Sequence, residues 1–185
     1  RAQDVFCNNN LPDHFYVSAI VDDTKAYFTK DLLNKEGDEY KQGASRYWPE
    51  TGKLDFYAYA NGDKVSGTPA PVDFSLTDQK ITGYEVITTV ADQKDLIYAV
   101  QVDQSKPDAK AADKKVKLNF RHALSQIVFQ AQNLNPNIYV EISGVEIHNV
   151  ANVGDFAFPS NATDGNIEDH DQNGKDANPD APTTD

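Results

Sequence analysis

The chain has 185 residues, of which 39% are hydrophobic and 25% charged, as is ordinary for a globular protein with one well-buried domain. Its formal net charge of −12 argues against binding to nucleic acid or to anionic lipid, because both require clustered Lys and Arg. No apolar run approaches the roughly 18 residues of a membrane-spanning helix. The single cysteine, Cys7, cannot form an internal disulfide, so packing alone must stabilise the fold.

A two-residue alternation of apolar and polar side chains recurs along the first hundred residues, and this period is typical of half-buried β-strands. The segments that show it are residues 15–21, 54–60, 72–76, 81–87 and 96–102. Residues 25–35 could form a short helix, but Tyr27, Phe28 and Thr29 also favour a strand. This half of the chain is therefore predicted to be mostly β-structure.

The alternation continues further along the chain in residues 116–120, 138–142 and 145–148. The Asn- and Pro-rich residues 133–137 predict a turn, and Ser143-Gly144 is a two-residue hairpin signal. About nine short strands, with no repeat and no alternation with helices, predict an all-β fold. It is either an antiparallel sandwich or a Greek-key barrel, in which each strand has one buried and one exposed face.

Aromatic residues are concentrated in and before residues 54–60. The alternation there places Phe56 inward and places Tyr57 and Tyr59 on the opposite face. With Trp48, these two tyrosines could form a stacking platform for a carbohydrate. The alternative is that they pack against neighbouring strands or under a loop.

The alternating pattern stops at residue 159, which divides the chain into a predicted β-domain (1–158) and a tail (159–185). From residue 160 onward seven acids stand against one base, Lys175, giving this stretch a charge of −6. Almost no apolar residue remains to offset the entropy of ordering it. The tail is predicted to be an acidic linker or a long loop.

One motif within the tail carries metal chemistry. Four oxygen-bearing side chains occupy positions 1, 3, 5 and 12 of a loop, with Gly at position 6, as in calcium loops of the EF-hand type. They are Asp169, Asp171, Asn173 and Asp180. Position 12 is Asp rather than the longer Glu, position 9 is Ala, and no amphipathic helices flank the loop. A Ca²⁺ site and a solvated acidic linker are both compatible with this pattern.

No catalytic constellation accompanies these features. The histidines are far apart in sequence, share no metal spacing and join no nucleophile motif; they are His14, His122, His148 and His170. The paired carboxylates Asp22 and Asp23 lie in loop-like sequence, without an apolar pocket that would raise a pKa. No Gly-rich phosphate loop is present. The chain is predicted not to be an enzyme and to need no cofactor other than the candidate Ca²⁺.

Three segments go beyond generic β sequence. They are RYWP (46–49) followed by LDFYAYA (54–60), then KDLIYA (94–99), and then VKLNFRHALSQIVF (116–129). In this order and spacing, over about residues 15–158, the chain resembles the N-terminal domain of the fimbrillin-like family of Bacteroidales, the type V pilins. The stretch VEIHNV (145–150) also fits that family.

The resemblance implies a transthyretin-like Greek-key β-sandwich, followed in the family by a second, C-terminal domain. It implies a lipoprotein precursor displayed at the outer membrane, whose N-terminal strand is removed by an Arg- or Lys-specific protease. Subunits would then join other pilin subunits by donor-strand addition, as shaft, tip or anchor of a cell-surface fimbria. The alternative is a surface lipoprotein that acts as an adhesin for a host protein or a glycan.

Overall fold

The computed structural model describes residues 12–37, 39–43, 46–60, 72–89, 92–108, 115–125 and 127–160. These residues form nine β-strands and no α-helix. The strands are β1 (His14–Val21), β2 (Lys25–Glu36), β3 (Glu39–Gln42), β4 (Leu54–Ala60), β5 (Asp73–Ser75), β6 (Lys80–Glu85), β7 (Ile97–Gln104), β8 (Arg121–His122) and β9 (Val153–Ala157). Residues 25–35 thus belong to a strand. The described part of the chain contains no helix long and apolar enough to cross a membrane.

The strands form two sheets in which every pair is antiparallel. The large sheet has six strands in the order β3-β2-β1-β4-β7-β8, and the small sheet has three in the order β5-β6-β9. β8 is short and pairs with β7 only through Ile97–His122 and Tyr98–Arg121. This arrangement confirms the all-β, antiparallel sandwich predicted from the alternating pattern.

A bulge interrupts the pairing of β1 with β2, where the register shifts on either side of Ala19. Lys30 on β2 has a φ of 55°, in the left-handed region that non-glycine residues seldom occupy. Its N–H donates to Ser18 Oγ at 2.9 Å, and Ser18 is fully buried. The side chain of Ser18 therefore replaces the ladder hydrogen bond that the bulge removes.

The main core lies between the two sheets and is largely aromatic. Its buried members are Tyr16, Ile20, Tyr57, Tyr59, Val72, Phe74, Ile81, Leu96, Val100 and Phe158. Phe158, directly after β9, stands at the centre, with ring centroids 5.4 Å from Phe74 and 5.8 Å from Tyr57. Residues from both sheets thus meet in one packed layer, which is what makes the fold a sandwich.

The outer face of the large sheet is also covered, which corrects the expectation of one exposed face per strand. A second cluster there buries Phe15, Val17, Ala58, Ala60, Ile97 and Ala99. Leu118 and Phe120 pack onto it from a segment without strand structure. The inter-sheet core therefore lies on the Tyr57 and Tyr59 side of β4, and the Phe56 side faces this second cluster. Alternation separates two faces but does not say which of them meets the other sheet.

Three predicted strands are not formed. Residues 116–120 keep their alternation, since Leu118 and Phe120 pack inward, but strand pairing begins only at β8. Residues 138–142 and 145–148 lie in a stretch, 127–152, that is exposed at every position and contains no strand. The turn at 133–137 is present: Asn135 N–H bonds Asn133 Oδ1 at 2.9 Å. Alternation describes one segment, whereas a strand also needs a neighbour about 4.8 Å away.

Candidate assembly cleft

The outer face of the large sheet carries a cleft of about 510 Å³ between residues 46–48 and residues 115–120. We call it the outer-face cleft. Its floor is built from β1, β2 and β4, and two irregular segments form its walls. The apolar side chains that shape it are Val17, Phe28, Phe56, Trp48, Leu118 and Phe120. A concave apolar surface on a rigid sheet is a typical place for a partner to bind.

Polar contacts hold the wall formed by residues 46–48 in place. Arg46 donates two hydrogen bonds to the carboxylate of Asp31, from Nε at 2.8 Å and from Nη2 at 3.0 Å. The guanidinium also lies 5.3 Å from the centroid of Phe28, in cation–π geometry. The hydrogen bond with Asp31 raises the pKa of Arg46 further above its usual range. The hydroxyl of Tyr27 donates to the carbonyl of Tyr47.

Aromatic contacts complete that wall. The Trp48 ring meets Phe56 edge-on at 6.1 Å, and Phe56 lies 6.3 Å from Phe28. Tyr47 projects outward with 83% of its surface exposed. The Arg-Tyr-Trp stretch is thus held by the side chains of its first and third residues and by the carbonyl of Tyr47, whose side chain is exposed to solvent.

The opposite end of the cleft is closed by a second aromatic group. Phe15 contacts Phe120 at 5.3 Å and Tyr40 at 4.9 Å. The hydroxyl of Tyr40 donates to the carbonyl of Pro12, and burial raises the pKa of Tyr40 to about 12. Tyr40 is therefore a neutral packing group at physiological pH.

The charges at the rim are engaged with one another. Lys115 pairs with Glu39 across the cleft mouth, and the hydrogen bond from Lys115 lowers the pKa of Glu39. Arg46 is paired with Asp31 in the same way. Ion pairs with an exposed partner contribute little to stability, so they position the walls more than they stabilise the fold. A cleft with an apolar floor and a neutralised rim suits apolar side chains better than a charged ligand.

Trp48, Tyr57 and Tyr59 do not form a carbohydrate-stacking platform. Trp48 lines the outer-face cleft, whereas Tyr57 and Tyr59 point into the inter-sheet core and are 5% and 0% exposed. The two tyrosines and the tryptophan therefore lie on opposite faces of β4. The two tyrosines pack within the sandwich, as the other interpretation of the sequence had it.

The predicted calcium loop of Asp169, Asp171, Asn173 and Asp180 lies outside the described residues, as does His170. Within the described residues, no group of three or more His, Cys, Asp or Glu side chains is placed to hold a metal ion. The remaining histidines lie apart. His122 Nδ1 pairs with Asp95, His148 Nε2 is 3.2 Å from Glu146 on the surface, and His14 packs edge-on against Tyr16.

A comparison with family models identifies the family of this chain. The model described as fimbrillin-like matches residues 7–185. The chain is a member of the fimbrillin-like family. Comparisons with curated proteins and with solved structures returned no match. Membership confirms the resemblance seen in the sequence and supports a role as a subunit of a cell-surface fimbria that assembles with other pilin subunits.

The motifs that carried the resemblance are structural in this fimbrillin-like chain. The residues RYW form one wall of the outer-face cleft, and LDFYAYA is β4, at the centre of the large sheet. Leu118 and Phe120 form the opposite wall. The sequence signal for the cleft was therefore present, as two aromatic and apolar motifs, but nothing in either motif indicates that they border one cavity.

Proposed function

We propose that this fimbrillin-like chain is a structural subunit, or a tip or anchor subunit, of an outer-membrane fimbria of a Bacteroidales bacterium. Its precursor would be a lipoprotein, anchored in the membrane by its lipid. Removal of an N-terminal strand by a protease would let subunits join by donor-strand addition. The observation that supports this proposal is the outer-face cleft, an apolar cavity on a sheet whose walls are already in place.

A donor strand binds through two kinds of contact, backbone hydrogen bonds to a sheet edge and alternate side chains in apolar pockets. The outer-face cleft provides the pockets. Glu39 and Tyr40, which line one end of it, belong to β3, and β3 is the outermost described strand on that side of the large sheet. A strand that extends from this edge toward the cleft would have both kinds of contact available. A neutral, apolar donor is favoured, because the rim charges are already paired.

The proposal is tested on the purified protein, in the form in which the cell produces it, with a trace of trypsin-like protease. We expect one N-terminal cut, followed by a heat-sensitive ladder on unboiled denaturing gels and by filaments in negative stain. A Leu118→Glu variant places a charge in the cleft wall, so it should be cut normally but form no ladder. Lys117→Glu introduces the same residue at an adjacent, exposed position and should behave like the parent.

Melting temperatures of both variants must stay close to that of the parent, so that lost assembly is not confused with lost folding. A clean cut without a ladder in the parent protein would contradict donor-strand addition. A ladder from Leu118→Glu that equals the parent's would show that the outer-face cleft is not where subunits join.

A second candidate function is a surface lipoprotein that binds a glycan or a host protein. The observation that favours it is Tyr47, which is 83% exposed beside Trp48 and Arg46 and so offers an aromatic face next to hydrogen-bond donors. Glycan screening of the uncut protein tests it. If a glycan binds, Tyr47→Ala should weaken binding by about 0.5–1.5 kcal/mol while leaving the fold intact, on the scale of one aromatic contact.

The calcium loop in the acidic tail remains a prediction with its own test. If Asp169 and Asp171 bind Ca²⁺ in the folded protein, millimolar Ca²⁺ should raise the melting temperature, since a ligand of the native state stabilises it by mass action. The double variant Asp169→Asn/Asp171→Asn should melt at the same temperature with and without Ca²⁺. Equal responses of parent and double variant would leave the tail as a solvated linker between domains.

A further inference from the structure

An exposed apolar stretch, residues 127–152, stands immediately before the last strand of the small sheet. Every residue in it is exposed, and its large apolar side chains include Val140 at 57%, Ile142 at 56%, Val145 at 58% and Ile147 at 50% exposure. Monomeric proteins seldom leave so much contiguous apolar surface in water. A natural cover for these side chains should therefore exist.

The alternation of the stretch fits a two-stranded hairpin with one apolar face. A two-residue turn at Ser143-Gly144 would set Ile142 opposite Val145 and Val140 opposite Ile147. All four side chains then lie on the same side of the hairpin, with polar residues such as Glu141 and Glu146 on the other. The two halves of the stretch are thus in phase with each other, which a random apolar sequence would not be.

The connection to β9 is short and contains one residue in a conformation that is common in tight turns. Asn149 has a φ of 61°, in the left-handed region that suits tight turns. The N–H of Val86 bonds the carbonyl of Asn152 at 2.7 Å, which continues the pairing of β6 with β9 by one residue. A four-residue connection, 149–152, between two antiparallel strands would pair His148 with Val153. It follows from the same register that Val145 would lie opposite Phe156.

This register also matches the burial of β9. Phe156 faces the inter-sheet core, with its ring 4.6 Å from Tyr98, whereas Asp155 points to solvent. Val145 would therefore join Phe156 on the core side. On the solvent side Glu146 would stand opposite Asp155, where Lys80 Nζ already lies 3.7 Å from Asp155 Oδ2 and offsets the like charges.

The position of β9 at the edge of its sheet allows strands to be added there. The small sheet has three strands and faces a large sheet of six, and β9 is the outermost described strand on one side of it. Two more strands at about 4.8 Å spacing would extend the small sheet by roughly 10 Å beyond β9. An open edge strand otherwise invites pairing with other chains.

We propose that residues 138–148 fold as a hairpin and close on the outer edge of β9, so that the small sheet gains two strands. In the described conformation these residues are not paired with β9. Closure buries Val140, Ile142, Val145 and Ile147 over the core, and it blocks the β9 edge against strands from other subunits. Subunits would then have to join through other surfaces. This proposal does not depend on whether the outer-face cleft accepts a donor strand.

Disulfide trapping in the full chain tests the register. With Cys7 replaced by Ser, the pair Glu146→Cys and Asp155→Cys occupies directly opposed, solvent-facing positions in the closed strap. Mild oxidation should link the two within one molecule, because opposed residues of paired strands have the Cα separation that a disulfide needs. His148→Cys with Asp155→Cys is two residues out of register and should link about tenfold more slowly or not at all.

Hydrogen exchange on the unaltered protein provides a second measurement that needs no substitution. In the closed strap the amides of residues 145–148 should exchange about a hundredfold or more slowly than those of the exposed turn 133–137. Disulfides between two molecules rather than within one would show that the β9 edge pairs with a neighbouring copy, which would overturn the proposal. Absence of both linking and protection would overturn it as well.

Discussion

Replacing Phe158 by alanine should lower the free energy of unfolding by about 3–5 kcal/mol, the usual cost of deleting a buried phenyl ring. Phe158 is 8% exposed and contacts four other rings, with centroids at 5.3–5.9 Å. These rings are Tyr57, Phe74, Tyr98 and Phe156. Removing the ring leaves a cavity between the sheets and also ends several edge-to-face contacts.

The matched control is Phe129→Ala, which deletes the same ring from a position that is 58% exposed. We expect it to change stability by no more than about 0.5 kcal/mol, as surface substitutions usually do. Urea denaturation of the two variants, followed by tyrosine and tryptophan fluorescence, measures both effects. A loss at Phe158 of under about 1 kcal/mol would contradict its central position. Equal losses at the two positions would show that residues 127–130 are packed in solution.

The strands that the sequence predicted correctly are those with clear boundaries. Residues 54–60 coincide with β4. Before it, Gly52 has a φ of +93°, and a Cβ there would come within 2.7 Å of Asp22 Oδ1, so a glycine is needed at this turn. The predicted segments 15–21, 72–76 and 81–87 likewise match β1, β5 and β6 to within two residues at each end. Period-two alternation bounded by turn residues is a local property, so the sequence records it directly.

Other features depend on distant partners and could not be read from local patterns. To predict that Tyr57 and Tyr59 lie in the inter-sheet core, one would need to know that β5 and β6 pack on that face of β4 and that Leu118 covers the other face. Residues 138–148 have the alternation of strands but no partner in the described conformation. The outer-face cleft combines residues from six separate parts of the chain, and no spacing rule connects them.

A buried carboxyl group at one end of the large sheet leads to the second large effect, a pH dependence of stability. Asp55 on β4 is 8% exposed, and its Oδ1 accepts a hydrogen bond from Asp103 N–H at 2.7 Å. Burial is the main cause that raises the pKa of Asp55 above its ordinary 3.8, and a hydrogen bond with the Asp23 carboxyl adds to it. The bond from Asp103 N–H acts in the opposite direction but does not cancel the rise.

The sign of the effect follows from proton linkage. Because the pKa of Asp55 is higher in the folded protein, the folded state binds more protons than the unfolded chain over this range. The contribution of Asp55 to stability is therefore fully present below pH 3.8 and is lost as the pH rises through the raised pKa. At neutral pH the fold contains a poorly solvated carboxylate near Asp23 and Asp103, with Lys53 engaged by Asp103 at 2.7 Å.

Asp55→Asn should consequently stabilise the protein at pH 7, by about 1–3 kcal/mol, the scale of an imperfectly compensated buried polar group. Asparagine keeps an oxygen that can accept the hydrogen bond from Asp103 N–H, but it carries no charge to bury. The gain should shrink as the pH falls toward 4, because the parent's own carboxyl then becomes protonated. Denaturation curves of both proteins between pH 4 and pH 8 measure this difference directly.

Asp103→Asn is the matched control, since it makes the same chemical change at a side chain that is 71% exposed and ion-paired with Lys53. We expect it to lose at most about 1 kcal/mol at neutral pH, as exposed pairs contribute little. If Asp55→Asn instead destabilised the protein at pH 7, the carboxylate of Asp55 would be a net stabiliser of the turn at Asp103, and its charge would be compensated within the fold.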